Sequence, residues 1–102
     1  MTELSSEALI QRRRRLLYRA THRGTYENDL MIGGFARKYI DGMDDEALDA
    51  LEAVMEHPDA ELADWLTGRK PVPAEAESDM LRRIRDEAAE IAQGEFGAKR
   101  GR

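Results

Sequence analysis

The segment Asp44-Asp45-Glu46-Ala47-Leu48-Asp49-Ala50-Leu51-Glu52-Ala53-Val54-Met55 carries the clearest amphipathic pattern in the chain. Ala47, Leu48, Leu51, Val54 and Met55 recur at steps of one and three residues, which gathers them on one side of an α-helix. Asp45, Glu46, Asp49, Glu52 and Glu56 take the opposite side. Asp44 is placed to cap the helix start, and Met43 and Leu48 fit the two positions of a hydrophobic staple around it. A helix with one such apolar face has to bury it, so the neighbouring segments must supply the partners.

Towards the N-terminus, residues 26–40 predict a helix whose apolar residues, Leu30, Met31, Ile32, Phe35, Ala36 and Tyr39, wrap more than one side. That makes it the expected central helix. Gly33-Gly34 inside it costs about 1 kcal/mol per glycine relative to alanine, which points to a close approach of another helix. Residues 6–21 predict a further helix, with Ser5 or Ser6 as cap and an apolar-leaning face of Leu9, Arg13, Leu16, Leu17 and Ala20. Gly24 is positioned to end it, and Asp41-Gly42 to end the central one.

Towards the C-terminus, Pro58 fits the first position of a fourth helix that presents Leu62, Trp65 and Leu66 and closes at Gly68. Arg69-Lys70-Pro71-Val72-Pro73 predicts a stiff extended connector. Residues 74–93 predict a fifth helix with a narrow seam of Leu81, Ile84, Ala88 and Ile91. The expectation is an all-α fold, a small helical bundle with a four-helix core and a more loosely attached C-terminal fifth helix. It forms a single domain over residues 1–93, with a disordered basic tail over 94–102.

Composition narrows the function. The 102 residues carry a net charge of −5 and no cysteine, which excludes disulfides and thiolate chemistry. No apolar run approaches membrane-spanning length, and the N-terminal residues resemble neither a secretory nor a mitochondrial targeting segment, so the expected setting is bacterial cytoplasm without membrane insertion. Charge is segregated. Residues 1–23 sum to +4 and residues 24–102 to −9, and residues 41–64 hold ten acids with no Lys or Arg. Such a chain is steered towards a partner of complementary charge, while its overall acidity argues against nucleic-acid binding. His22 and His57 fall at helix ends without a second ligand at metal spacing, and no nucleophile–base pair can be assembled, so neither a metal site nor an enzyme is expected.

Two features remain. Arg12-Arg13-Arg14-Arg15, with Arg19, covers all sides of the first helix, so at least one arginine must turn inward or towards a partner. The run either pairs with the acids of the third helix or forms a patch for carboxylates or phosphates, as a regulatory or antitoxin-like binding module would use it. The second feature is the turn Arg23-Gly24-Thr25-Tyr26-Glu27. As a helix joint, Arg23 would serve the last carbonyls of the first helix and Glu27 the positive end of the second. As a docking surface, the same turn offers a guanidinium, a carboxylate, a tyrosine and a hydroxyl around bare backbone.

Arg23-Gly24-x-x-Glu27, preceded by the arginine-rich helix and followed by Asn28-Asp29-Leu30, is similar to the RGxxE signature of the SdhE-like family, the succinate dehydrogenase flavinylation factors. Asp64-Trp65-Leu66-Thr67-Gly68-Arg69 also resembles that family's pattern, and the likeness runs from about residue 10 to residue 85. The resemblance implies a small, chaperone-like helical protein that binds the flavoprotein subunit of succinate dehydrogenase, and in some bacteria of fumarate reductase. It implies that FAD becomes attached covalently to a histidine of that client and is not bound tightly by this chain, which is expected to be monomeric alone. Arg23, Gly24 and Glu27 would carry binding and activity, supported by Thr25, Tyr26, Asp29, Arg14, Arg15 and Arg19. Trp65 is expected in the core.

Overall fold

The computed structural model describes residues 3–92, and within them five α-helices: α1 (Glu3–Thr21), α2 (Tyr26–Tyr39), α3 (Asp45–Met55), α4 (Asp59–Leu66) and α5 (Asp79–Ala92). One 3-10 turn, Ile40–Gly42, leads out of α2, and another, Ala74–Ala76, precedes α5. The tail at residues 94–102 lies outside the described residues. Among the described residues no helix is long and apolar enough to cross a membrane.

α2 is the central helix, as its all-round apolar content predicts. Met31, Ile32, Phe35 and Ala36 are buried, and α1 and α5 pack on it most extensively. The close approach inferred from Gly33-Gly34 falls on Gly33: a Cβ there would lie 2.9 Å from Thr21 Cγ2 and 3.3 Å from the Ala20 carbonyl oxygen. α3 forms as its pattern dictates. Asp44 Oδ1 accepts from the Ala47 amide at 2.9 Å, and Met43 and Leu48 are both buried. Each apolar side chain taken fully from water contributes about 1.5–3 kcal/mol, so Leu48, Leu51, Ile32 and Phe35 form the energetic centre.

Four expectations are corrected. α1 already runs at Glu3, so Ser5 and Ser6 lie within it rather than capping it. Pro58 is the N-cap of α4, not its first helical residue, because its ψ of 147° is extended. α5 starts at Asp79 instead of residue 74, since Glu77 is extended and Ser78 Oγ accepts from the Leu81 amide at 3.0 Å, a cap not recognised from the sequence. Nor is α5 loosely attached: Met80, Leu81, Ile84 and Ala88 join the same buried cluster as α2 and α3. Polar contacts reinforce that seam, with the Tyr39 hydroxyl donating to Glu87 Oε2 at 2.5 Å and the Arg83 guanidinium 5.3 Å from the Phe35 and Tyr39 rings.

Gly33→Ala separates helix propensity from packing. Alanine is favoured in a helix by about 1 kcal/mol, but overpacking against Thr21 and Ala20 backbone costs about 1–3 kcal/mol. The net expectation is a melting temperature lowered by about 5–10 °C in a thermal scan; an unchanged or raised value would show that α1 can yield.

Candidate functional site

Between α1 and α2 the chain must reverse in four residues. Gly24 makes this possible at φ +101°, a backbone region that side chains strongly disfavour, and Thr25 is extended ahead of α2. Thr25 makes no capping bond with its side chain; Asp29 reaches back instead, its Oδ1 accepting from the Arg23 amide at 2.6 Å. The turn is thus fixed from within.

The Arg23 side chain runs away from the turn surface to the junction of α3 and α4. Its Nη1 donates to the Met55 carbonyl at 3.0 Å, Nη2 to the His57 carbonyl at 3.1 Å, and Nε to Asp59 Oδ1 at 2.6 Å. Carbonyls at a helix C-terminus lack intrahelical donors, and a cation there also complements the helix dipole. Arg23 therefore serves the end of α3, correcting the expectation that it serves α1. Its side chain is only 11% exposed. Asn28, fully buried, adds a second tie: its Nδ2 donates to the Asp59 carbonyl at 2.9 Å and to Asp59 Oδ1 at 3.0 Å. Burial pushes the Asp59 carboxyl up, but the hydrogen bonds from Arg23 and Asn28 outweigh it and hold the group below the usual carboxylate range.

Tyr26 and Glu27, in the first turn of α2, face outward, and Tyr26 is 62% exposed. Glu27 Oε1 lies 3.4 Å from Arg69 Nη2, and Arg69 Nε donates to Asp64 Oδ1 at 3.0 Å. The Arg23–Glu27 turn and the Asp64–Arg69 segment, distant in sequence, thus meet at one edge of the bundle. The hydrogen bond from Arg69 lowers the Asp64 carboxyl, with burial opposing.

The arginine run divides by direction. Arg12 pairs with Asp45, Asp49 and Glu52 at 2.9, 2.6 and 3.1 Å, and Arg19 pairs with Glu52 at 3.1 Å. Arg13 is the one turned inward, donating through Nε and Nη2 to the Met43 carbonyl at 3.0 and 2.8 Å. Arg14 and Arg15 stay exposed and make no ion pair among the described residues. Of the run of four, Arg12 clasps α1 to the acidic face of α3 together with Arg19, Arg13 ties α1 to the segment ahead of α3, and two stay on the surface. Trp65 is in the core, with the His57 ring edge-on to it at 5.1 Å. His22 stacks on Tyr18 with ring centroids 3.9 Å apart. Among the described residues no group of three or more His, Asp or Glu side chains could hold a metal ion.

The family described as flavinator of succinate dehydrogenase matches residues 14–88. The chain belongs to this family. It is 49% identical over 81 residues to the FAD assembly factor SdhE of Acetobacter pasteurianus, a match covering 79% of this chain and 74% of that protein. It is 39% identical to the mitochondrial succinate dehydrogenase assembly factor 2 of Mycosarcoma maydis, over 68% of this chain and 29% of the other. For the Candida glabrata protein of the same description the identity is 33%, over 79% and 56% of the two chains. The chain thus spans much less than the full length of these mitochondrial relatives.

Asn28 and Asp59 are the site residues that sequence reading missed. Asn28 is the one polar residue on the inward side of α2, one turn before Met31 and Ile32, and that misplaced polarity was the available signal.

Removing Arg23 leaves Asp59 and two carbonyls without their donor. Arg23→Ala is expected to cost about 2–3 kcal/mol in chemical denaturation, and Glu27→Ala less than about 0.5 kcal/mol. Equal effects would refute the division between inner and outer residues. The pH dependence follows the same bonds. Asp59, Asp64 and Glu52 all have lowered folded-state values, so their contribution is present above the unfolded carboxylate pKa of about 4 and is lost as pH falls through the folded values. Stability should therefore be level from about pH 6 to 8 and decline below about pH 4, less steeply in Arg23→Ala.

Proposed function

We propose that this chain is an FAD assembly factor that binds the flavoprotein subunit of succinate dehydrogenase and promotes covalent attachment of FAD to it. The observation that carries the reading is the family match over residues 14–88, together with 49% identity to a protein described as FAD assembly factor SdhE. The action is that of a chaperone. The chain binds the client before it carries its flavin covalently and holds the client so that the client's own groups react, which is positioning rather than chemistry by this chain.

The structure supports a division of labour within the Arg23–Glu27 turn. Arg23, Gly24 and Asp29 set its shape, and Tyr26 and Glu27, standing out from a joint fixed by internal hydrogen bonds, are the residues offered to the client. Rigid presentation favours tight docking because little side-chain and loop freedom remains to be lost on binding. Arg14 and Arg15, exposed on α1, add positive charge to the surface away from the turn. The chain itself does not hold FAD tightly in this reading. The hollow next to the turn, lined by Tyr18, Arg19, His22, Arg23, Met55 and Asp59, is about 290 Å³, at the lower limit for small-molecule sites. In this reading the setting is bacterial cytoplasm.

Glu27→Ala tests this directly. In cells that depend on this chain, the variant should accumulate normally while in-gel flavin fluorescence of the succinate dehydrogenase flavoprotein subunit falls at least about tenfold, as removal of a central interface contact predicts. Fluorescence equal to wild type would remove Glu27 from the client surface.

A further inference from the structure

α4 ends in a turn whose conformation aims one side chain at the candidate site. Gly68 adopts φ +81°, and the Lys70 amide donates to the Asp64 carbonyl at 3.2 Å, closing the last turn of the helix. The chain folds back on α4, so Arg69 lies beside Asp64 instead of running on into solvent. Arg69 Nε is anchored on Asp64 Oδ1 at 3.0 Å, and Lys70 Nζ flanks the same carboxylate at 3.5 Å from Oδ2. With one edge of the guanidinium engaged there, Nη2 is presented to Glu27 Oε1 at 3.4 Å.

This pair contributes little to the fold. Both side chains are about half exposed, 53% for Arg69 and 49% for Glu27, and surface pairs of this kind are weak and screened by salt. Its geometry instead restricts Glu27, a long side chain with several free torsions, at the edge read above as the client surface. A planar guanidinium held at one end can fix a carboxylate at the other, which a lysine at that position could not do.

We infer that Arg69 is a positioning residue for docking: anchored by Asp64, it holds Glu27 in the orientation in which Glu27 meets the client. The inference rests on the reading of Glu27 as a client contact. It makes the end of α4 part of the functional surface, although Arg69 itself need not touch the client.

The test is the affinity of the full chain for the purified succinate dehydrogenase flavoprotein subunit lacking covalent FAD, measured by calorimetry for wild type, Arg69→Ala, Glu27→Ala and the double variant. Arg69→Ala is expected to weaken binding about fivefold, the scale of one side chain's lost preorganisation, with its melting temperature lowered by no more than about 2 °C, as loss of an exposed ion pair predicts. The double variant should bind no more weakly than Glu27→Ala alone, because Arg69 acts through Glu27. The Arg69→Ala penalty should also shrink between about 50 and 500 mM NaCl. Wild-type affinity in Arg69→Ala, or a double variant weaker than Glu27→Ala, overturns the inference while leaving the assembly-factor reading in place. A wild-type chain that does not bind the subunit overturns that reading and the inference with it.

Discussion

A guanidinium buried where α1, α3 and α4 converge must find acceptors, and Arg23 finds them in Asp59 and in the carbonyls of Met55 and His57. Those carbonyls need donors just as the guanidinium needs acceptors, so each group's requirement is met by another's. The Asp59 carboxylate in turn receives Asn28 from α2, and the Arg23 amide receives Asp29. One cation thereby fixes the order of four helices at the point where the chain reverses. The surface position of Tyr26 and Glu27 depends on that buried network, because α2 begins where the network places it.

Charge segregation has a parallel effect. The positive N-terminal region and the acidic stretch at residues 41–64 meet through Arg12, Arg19 and Glu52, so part of the charge asymmetry is used in folding α1 onto α3. Three acids around Arg12 raise its already high pKa further, and it remains charged at any pH at which the protein folds. Arg14 and Arg15 stay exposed and take no part in that clasp.

Local patterns were legible in the sequence wherever one helix face or one cap set the outcome. The α3 seam, its Asp44 cap, the central place of α2, the turn at Gly24 and the buried Trp65 all follow from spacing and residue type. Reading stopped where a side chain had to choose between distant partners. Nothing in the spacing of Arg23 shows that it crosses to Met55 and His57, because that contact exists only once three helices are packed. Nor could Pro73 and Glu77 announce that the chain stays out of α-helix until Ser78 supplies a cap, since alanine and glutamate at 74–77 favour helix locally. The pairing of Glu27 with Arg69 was hidden for the same reason: two short segments meet only through the fold.

The different depths of Arg23 and Glu27 bear on how changes at this turn register in a living cell. A change at Arg23 weakens the folded state and so lowers the amount of protein that escapes proteolysis, whereas a change at Glu27, in its proposed role, leaves the amount alone and alters what each molecule can do. Two losses that look identical in growth therefore differ in dosage: overproduction restores the first and leaves the second unrelieved.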